Sequence, residues 1–141
     1  MIALLDVNVL VALAWPNHVH HGSATAWFRA NEAAGWATCP VSESGFVRVS
    51  ANRHAIATAT TVGGAIELLR RFRSRPSHRF WSDDISIADA SEIAVEAIAG
   101  YRQVTDAHLL ALAVRREGVL VTFDQHLAAL GPADRIEVLR G

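Results

Sequence analysis

The sequence predicts an α/β fold, with a central, mostly parallel sheet of about five short strands flanked by helices. Short apolar runs alternate along the chain with longer segments whose apolar residues recur at helical spacing. The clearest strand candidates, residues 2–5 and 119–123, are almost continuously apolar, which is typical of parallel strands covered on both faces. With 141 residues and 51% hydrophobic content, we expect one globular domain spanning residues 1–141.

The first half of the chain contains clear start and stop residues for its elements. Pro16 ends the first helix, Pro40 suits the first turn of another, and Thr60-Thr61 can cap a third. Gly35 separates a helix from the strand that follows it. The predicted elements are a strand at 2–5, helices at 8–15 and 19–32, a strand at 36–39, a helix at 40–52 and a helix after Thr60-Thr61.

The second half follows the same alternation of strands and helices. Thr105 is the expected N-cap of a helix that is apolar on most sides and therefore buried, and Gly118 ends it. The predicted elements are an edge strand at 79–81, helices at 88–99 and 106–117, a strand at 119–123, a short helix at 125–130 and a strand at 135–139.

Four acidic residues follow these strands or begin these helices: Asp6, Glu43, Asp106 and Asp124. The carboxyl ends of parallel strands meet at one edge of a sheet, so we expect all four to share one pocket there. Two carboxylates about 4 Å apart repel by about 4 kcal/mol at an effective dielectric constant near 20. A cation would relieve this repulsion, and oxygen ligands suit Mg²⁺ or Mn²⁺.

Each acid also has a structural explanation when it is taken alone. A carboxylate at a helix N-terminus stabilises the free amide groups there by about 0.3–1 kcal/mol. The set of four favours a site, because burying several unpaired carboxylates for capping alone would be costly. Asp83, Asp84 and Asp89 are other acids to consider, and Asp89 is expected on a solvated helix face with Glu92 and Glu96.

Charge and composition exclude several classes of protein. The net charge is −1, so contact with a nucleic acid would need a local patch, and Arg70, Arg71, Arg73 and Arg75 form the best candidate. The alternative for this cluster is favourable charge at a helix C-terminus. The longest apolar run is too short to span a membrane. A single cysteine excludes an internal disulfide, and we expect a cytoplasmic protein.

Histidines offer weaker candidates. His18, His20 and His21 lie close together in sequence, but without a convincing partner set they are interpreted as loop residues rather than a zinc site. His108 and His126 lie near two of the acids, where each could move protons or support a neighbouring group.

Four segments of the chain, in order, resemble the acid-bearing segments of PIN-domain ribonucleases. These are residues 4–10 with Asp6 and Asn8, 42–48 with Glu43, 105–113 with Asp106, and 118–124 with Asp124. Their order and spacing and the chain length resemble the VapC-type toxins of bacterial toxin–antitoxin pairs. Gln125-His126 departs from the family, where a basic residue often follows the last Asp.

The resemblance implies a Mg²⁺- or Mn²⁺-dependent endoribonuclease that cleaves RNA and is inhibited by a VapB-like antitoxin, and we expect it to form a homodimer. By position, Asp6, Glu43, Asp106 and Asp124 would be catalytic, and Asp6, Asp106 and Asp124 would bind the metal. Asn8 and Thr122 would be supporting polar groups.

Rival functions are weaker. A phosphorylated receiver domain relies on a lysine, and this chain has none. A phosphatase with an Asp-x-Asp motif would need an acid where Asn8 stands. A non-catalytic PIN-like module that only binds RNA or protein is the remaining alternative, and the retention of all four acids argues against it.

Overall fold

A five-stranded parallel sheet forms the centre of the protein. The computed structural model describes residues 1–56 and 59–141. The strands are β1 (Ala3–Leu5), β2 (Trp36–Thr38), β3 (His78–Phe80), β4 (Val119–Thr122) and β5 (Ile136–Val138), in the spatial order β3-β2-β1-β4-β5. All four neighbouring pairs are parallel. The predicted fold class is therefore confirmed.

In the part of the chain that the structure describes, five α-helices connect and flank the strands. They are α1 (Val7–Ala14), α2 (His21–Asn31), α3 (Pro40–Ser50), α4 (Val62–Arg73) and α5 (Val104–Arg115). Thr61 caps α4 as predicted, because its Oγ1 accepts a hydrogen bond of 3.0 Å from the amide of Gly64. The expected cap at Thr105 is wrong, because α5 begins at Val104 with Gln103 as its N-cap, and Thr105 therefore lies inside the first turn. Within the described ranges, no helix is both long and apolar enough to cross a membrane.

The two faces of the sheet are covered differently. Alternate residues of β1 point to opposite faces, so Leu5 packs with α1 to α4 whereas Leu4 packs with α5. Helix α5 is buried along most of its length, as its apolar sequence predicts. Burial on both faces explains why β1 and β4 have almost no polar residues until their carboxyl ends.

The predicted helix over residues 88–99 is wrong. The segment is irregular, with one 3₁₀ turn at Val95–Ala97. Its apolar side chains still cover the core next to α5, and Ile93 is buried. Its backbone makes only short local turns and is also bonded to a neighbouring loop, since the amide of Ala94 donates to the carbonyl of Leu130 at 3.1 Å. Apolar spacing therefore located a buried segment correctly without specifying its backbone.

Close packing of α1 against α3 places the start of α1 firmly on the sheet. A Cβ atom added at Gly45 of α3 would lie 2.6 Å from Cγ2 of Val7, so only glycine allows this approach. Val7 is the first residue of α1 and follows Asp6. The packing of two helices thus restrains the position of a candidate site residue.

The strand order creates a natural crevice. From β1 the chain builds the sheet in one direction through β2 and β3, and then adds β4 and β5 on the other side of β1. The connections leaving β1 and β4 therefore diverge, which leaves an opening outside the carboxyl ends of these two strands. Ligands of open α/β sheets bind at this position.

Candidate active site

Three of the predicted acids line one cleft at the carboxyl ends of β1 and β4. Asp6, Asp106 and Asp124 contribute to its wall, and the cleft has a volume of about 360 Å³. Asp6 follows β1 and caps α1, Asp106 lies in the first turn of α5, and Asp124 caps the 3₁₀ turn after β4. The sheet edge therefore brings together residues that are up to 118 positions apart in sequence.

Thr122, the last residue of β4, holds two of these acidic segments in place. Its hydroxyl donates to Oδ2 of Asp6 at 2.7 Å, and it accepts from Nδ2 of Asn8 at 3.2 Å and from the amide of Asp124 at 3.0 Å. A hydroxyl has one proton to donate and two lone pairs to accept with, so its capacity is fully used. Thr122 is completely buried, which makes these bonds costly to break.

Asn8 strengthens the same connection between β1 and β4. Its Oδ1 accepts a hydrogen bond of 3.2 Å from the amide of Phe123, while its Nδ2 donates to Thr122. The side chain thus joins the start of α1 to the end of β4 through two bonds. The supporting role of Asn8 and Thr122 in catalysis stays a prediction.

The acids disturb each other's ionisation. Burial, followed by the negative charges of Asp6 and Asp124, raises the pKa of Asp106 to about 7. Burial also raises the pKa of Asp6, although hydrogen bonds from Thr122 and the amide of Val7 oppose this shift. The helix N-termini at both acids favour the charged form, but desolvation is the larger effect. None of the described residues that line the cleft is Arg or Lys, so no such side chain there offsets the negative charge of the acids.

The donor set suits a hard cation that keeps part of its water shell. In residues 1–56 and 59–141, no three Asp, Glu, His or Cys side chains are grouped closely enough to form a complete metal-ligand set. Mg²⁺ does not require one, because it usually takes one or two carboxylates together with waters and substrate phosphates. Carboxylate oxygens with raised pKa values are suitable donors, since a cation would relieve their repulsion.

Glu43 does not line this cleft, so the expectation that all four acids share it is wrong for this residue. Its Oε2 accepts a hydrogen bond of 2.6 Å from Oγ1 of Thr38 and lies 3.6 Å from Nε of Arg73. Because Thr38 gives its only proton to Glu43, the contact of 2.7 Å with Nε2 of His78 requires the imidazole to donate. Burial and the charges of Arg73 and Arg79 lower the pKa of His78 to about 4, which keeps it neutral. An arginine and a local hydrogen bond therefore hold the Glu43 carboxylate away from this cleft, and Glu43 lines a separate groove.

The structure separates the histidines that sequence alone could not rank. His18 lines the acidic cleft, although its sequence suggested only a loop residue. The available indication was its place in the connection after α1, at the same sheet edge. His108 instead contacts Asp83, with 2.6 Å between Nε2 and Oδ2, and is not part of the cleft wall. His126 follows Asp124 and is exposed.

Several arginines of the cluster are already paired with acidic side chains. Arg75 forms two hydrogen bonds of 2.8 Å with Glu32, and Arg70 lies 3.3 Å from Glu67. Arg73 contacts Glu43, whereas Arg71 is exposed near the end of α4. The members of the cluster therefore differ in how readily they could contact a phosphate, and their role in RNA binding stays a prediction.

Comparison with known proteins identifies the family. The PIN domain family matches residues 3–131, which is most of the chain. The protein belongs to the PIN-domain family. The resemblance noted in the sequence is therefore confirmed.

Relatives that are similar along nearly their whole length carry the name Ribonuclease VapC. The chain is 49% identical over 139 residues to Ribonuclease VapC39 of Mycobacterium tuberculosis, covering 99% of this chain and 100% of the relative. It is 50% identical to Ribonuclease VapC38 of the same organism, with 97% of each chain covered.

Solved structures agree with the fold. VapBC2 from Rickettsia felis, bound to a DNA fragment from its promoter, has a TM-score of 0.62 at 12% identity and covers 99% of this chain and 100% of that one. VapC20 of Mycobacterium tuberculosis, described as a sarcin–ricin loop cleaving toxin, also has a TM-score of 0.62 at 16% identity, with 94% of this chain and 98% of that one covered.

Proposed function

We propose that this PIN domain is a Mg²⁺- or Mn²⁺-dependent endoribonuclease and the toxin of a toxin–antitoxin pair. The observation that carries the proposal is the meeting of Asp6, Asp106 and Asp124 in one cleft at the sheet's switch point. Relatives named ribonucleases, 49% and 50% identical over nearly the whole chain, support RNA as the substrate.

The metal would be held by Asp6 and Asp106, with Asp124 beside them. When bound, a divalent ion in such a site lowers the pKa of a water nucleophile and stabilises the charge of the phosphate. Three carboxylates alone would repel an RNA phosphate, so a cation is the simplest way to make this cleft accept its substrate.

The protein's own groups provide orientation and charge. Thr122 and Asn8 would keep the Asp6 carboxylate in one orientation, because both are bonded within the same buried network. Asp106 would release its proton on ligation, since its raised pKa of about 7 leaves it largely protonated below neutral pH. Metal affinity should therefore fall as the solution becomes more acidic.

The test is Asp6→Asn in purified protein, assayed for cleavage of RNA with added Mg²⁺ or Mn²⁺. The amide keeps the size of the side chain and can still accept a hydrogen bond from the amide of Val7, but it removes the ligand charge. We expect folding to be retained and cleavage to fall to background, and EDTA should inhibit the wild type equally. Asp89→Asn, at an exposed acid outside the cleft, is the matched control and should remain active.

Two results would contradict the proposal. Full activity of Asp6→Asn would exclude this residue as an essential ligand, and chelator-resistant cleavage would indicate a metal-free mechanism. A wild-type protein that binds RNA but cleaves none with either ion would support the alternative, a non-catalytic RNA- or protein-binding module.

The partner would be a VapB-like antitoxin. A complex named VapBC2 is among the structures with this fold, which supports an antitoxin partner here. An arginine from the partner could pair with Asp6 and Asp106, because a guanidinium neutralises carboxylates without the strict geometry of Mg²⁺. Replacing that arginine with alanine in the partner should restore cleavage at saturating concentration. Undiminished inhibition would point to steric blockade instead.

We also propose a homodimer in the cytoplasm. Light scattering of the purified toxin at several concentrations would test the oligomeric state, and a mass equal to one chain throughout would exclude the dimer.

A further inference from the structure

A second cleft adjoins the acidic one through a shared residue. It has a volume of about 420 Å³ and is lined by residues 99–103 together with Asp124 and His126. Asp124 also lines the acidic cleft, so the two clefts adjoin at this residue. A chain molecule whose reacting phosphate lay by the acids would extend from there into this neighbouring cleft.

The most exposed aromatic side chain found in this neighbouring cleft is Tyr101. It is 81% exposed, although a side chain of this size would normally gain stability from burial. The guanidinium of Arg102 lies 5.8 Å from the centre of the ring, and its Nε is 3.3 Å from the phenol oxygen. Tyr101 therefore combines an open aromatic face with an adjacent positive charge.

The backbone that carries Tyr101 is held by local hydrogen bonds. Oε1 of Gln103 accepts from the amide of Ala99 at 2.7 Å, and the amide of Gln103 donates to the carbonyl of Gly100 at 3.1 Å. The turn runs directly into α5, whose first turn contains Asp106. Tyr101 and Asp106 are therefore close in sequence, and the segment between them is held by hydrogen bonds.

These features match the chemistry of an unpaired nucleotide. Bases stack on exposed aromatic rings regardless of their identity, and arginine and histidine donate to phosphate oxygens. Arg102 and His126 are both exposed and line the same cleft. A protein or peptide ligand is less favoured, since the cleft lies beside the place where an RNA phosphate would react.

We propose that Tyr101 is a substrate-positioning residue: the base of a nucleotide next to the scissile phosphate stacks on its ring, while Arg102 and His126 contact the RNA backbone. This inference rests on the proposed ribonuclease function. It predicts that the substrate presents an unpaired base at this position, as in a loop or single-stranded segment.

The test compares Tyr101→Phe with Tyr101→Leu on synthetic hairpin RNAs that share a stem and differ in the loop. Phenylalanine keeps the stacking face, so kcat/KM should stay within about twofold of the wild type. Leucine keeps apolar volume without the face, and kcat/KM should fall about 5- to 150-fold, the range expected from loss of one base–aromatic stack. Val95→Ala, at an exposed apolar residue that does not line this cleft, should not change kcat/KM.

An abasic scan of the loop identifies the contact directly. Removing the stacked base should slow the wild type by about the same factor as Tyr101→Leu, and should slow Tyr101→Leu little further. Equal cleavage by the leucine variant and the wild type on every loop would overturn the inference. So would an abasic effect of the same size in both proteins at all positions.

A binding experiment separates this inference from the proposed function. Hairpins carrying 2-aminopurine in the loop are titrated with Asp6→Asn protein, which is not expected to cleave them. Stacking on Tyr101 should change the fluorescence of one labelled position, and Tyr101→Leu in the same background should abolish that change. If wild-type protein does not cleave RNA, this signal still supports or excludes the stacking contact. Circular dichroism melting confirms that each variant is folded.

Discussion

Asp106 should destabilise the metal-free protein, so Asp106→Asn should make it more stable at neutral and alkaline pH. The physical reason is that burial and two neighbouring carboxylates raise the pKa of Asp106 from 3.8 to about 7. The folded protein therefore binds a proton at pH values at which the unfolded chain has lost it, and stability falls as the pH rises through this window. Asparagine has no proton to lose.

The size of the effect follows from the two pKa values. Between pH 5 and pH 7 the stability of the wild type should fall by at most about 1.4 kcal/mol per pH unit, and by about 2.3 kcal/mol in all, because the slope lessens as Asp106 loses its proton near pH 7. Asp106 is only partly buried, and water around its carboxylate reduces this amount. We therefore expect Asp106→Asn to gain about 1–1.5 kcal/mol relative to wild type between these pH values.

Urea unfolding in EDTA at pH 5, 6, 7 and 8 measures this difference. The free energies of the two proteins should diverge mainly between pH 5 and pH 7 and become nearly parallel by pH 8. Asp89→Asn, an exposed control, should follow the wild type within about 0.5 kcal/mol. Added Mg²⁺ should stabilise the wild type more than the variant. A difference that does not depend on pH, or one that favours the wild type at pH 8, would refute the explanation.

Other predictions concern packing and charge. Thr122→Val should lower the unfolding free energy by about 1–3 kcal/mol and reduce cleavage, because buried polar partners lose a hydrogen bond. Thr122→Ser keeps the hydroxyl and should retain most of the stability and the cleavage. A valine variant with the stability of the wild type would contradict this explanation. Gly45→Ala should cost about 1–3 kcal/mol in urea unfolding through a clash with α1, whereas Gly63→Ala, with nothing within 4 Å of the new Cβ, should not destabilise. Arg71→Ala should reduce the salt dependence of RNA binding by about one counterion, and Arg75→Ala, already paired with a glutamate, should change it less. An equal salt dependence of RNA binding in the two variants would show that pairing with a glutamate does not limit the contact of Arg75 with RNA.

Much of the architecture could be predicted from local sequence. Apolar runs at 2–5 and 119–123 identified the two central strands, and glycine and proline marked where helices end. Burial on both faces requires such runs, so their pattern is specific to parallel strands. The helix predicted at 88–99 was wrong because this segment forms only a short 3₁₀ turn and bonds through Ala94 to the loop at Leu130, which no local periodicity records.

The sequence by itself determined the order of the elements, the parallel sheet and the acids that follow its strands. Polar residues at the ends of otherwise apolar runs sufficed for Asp6 and Asp124, since strand ends of a parallel sheet must share an edge. That inference depends only on backbone topology, which hydrophobic patterning encodes.

Only the tertiary structure decided which side chains enter the cleft. Glu43 lies at the expected edge, yet Thr38 and Arg73 hold its carboxylate elsewhere, while His18 is brought in from a loop. The raised pKa of Asp106 and the exposed ring of Tyr101 beside Asp124 likewise depend on distances between remote segments. Desolvation, ion pairing and stacking act through space, and residue order along the chain does not specify them.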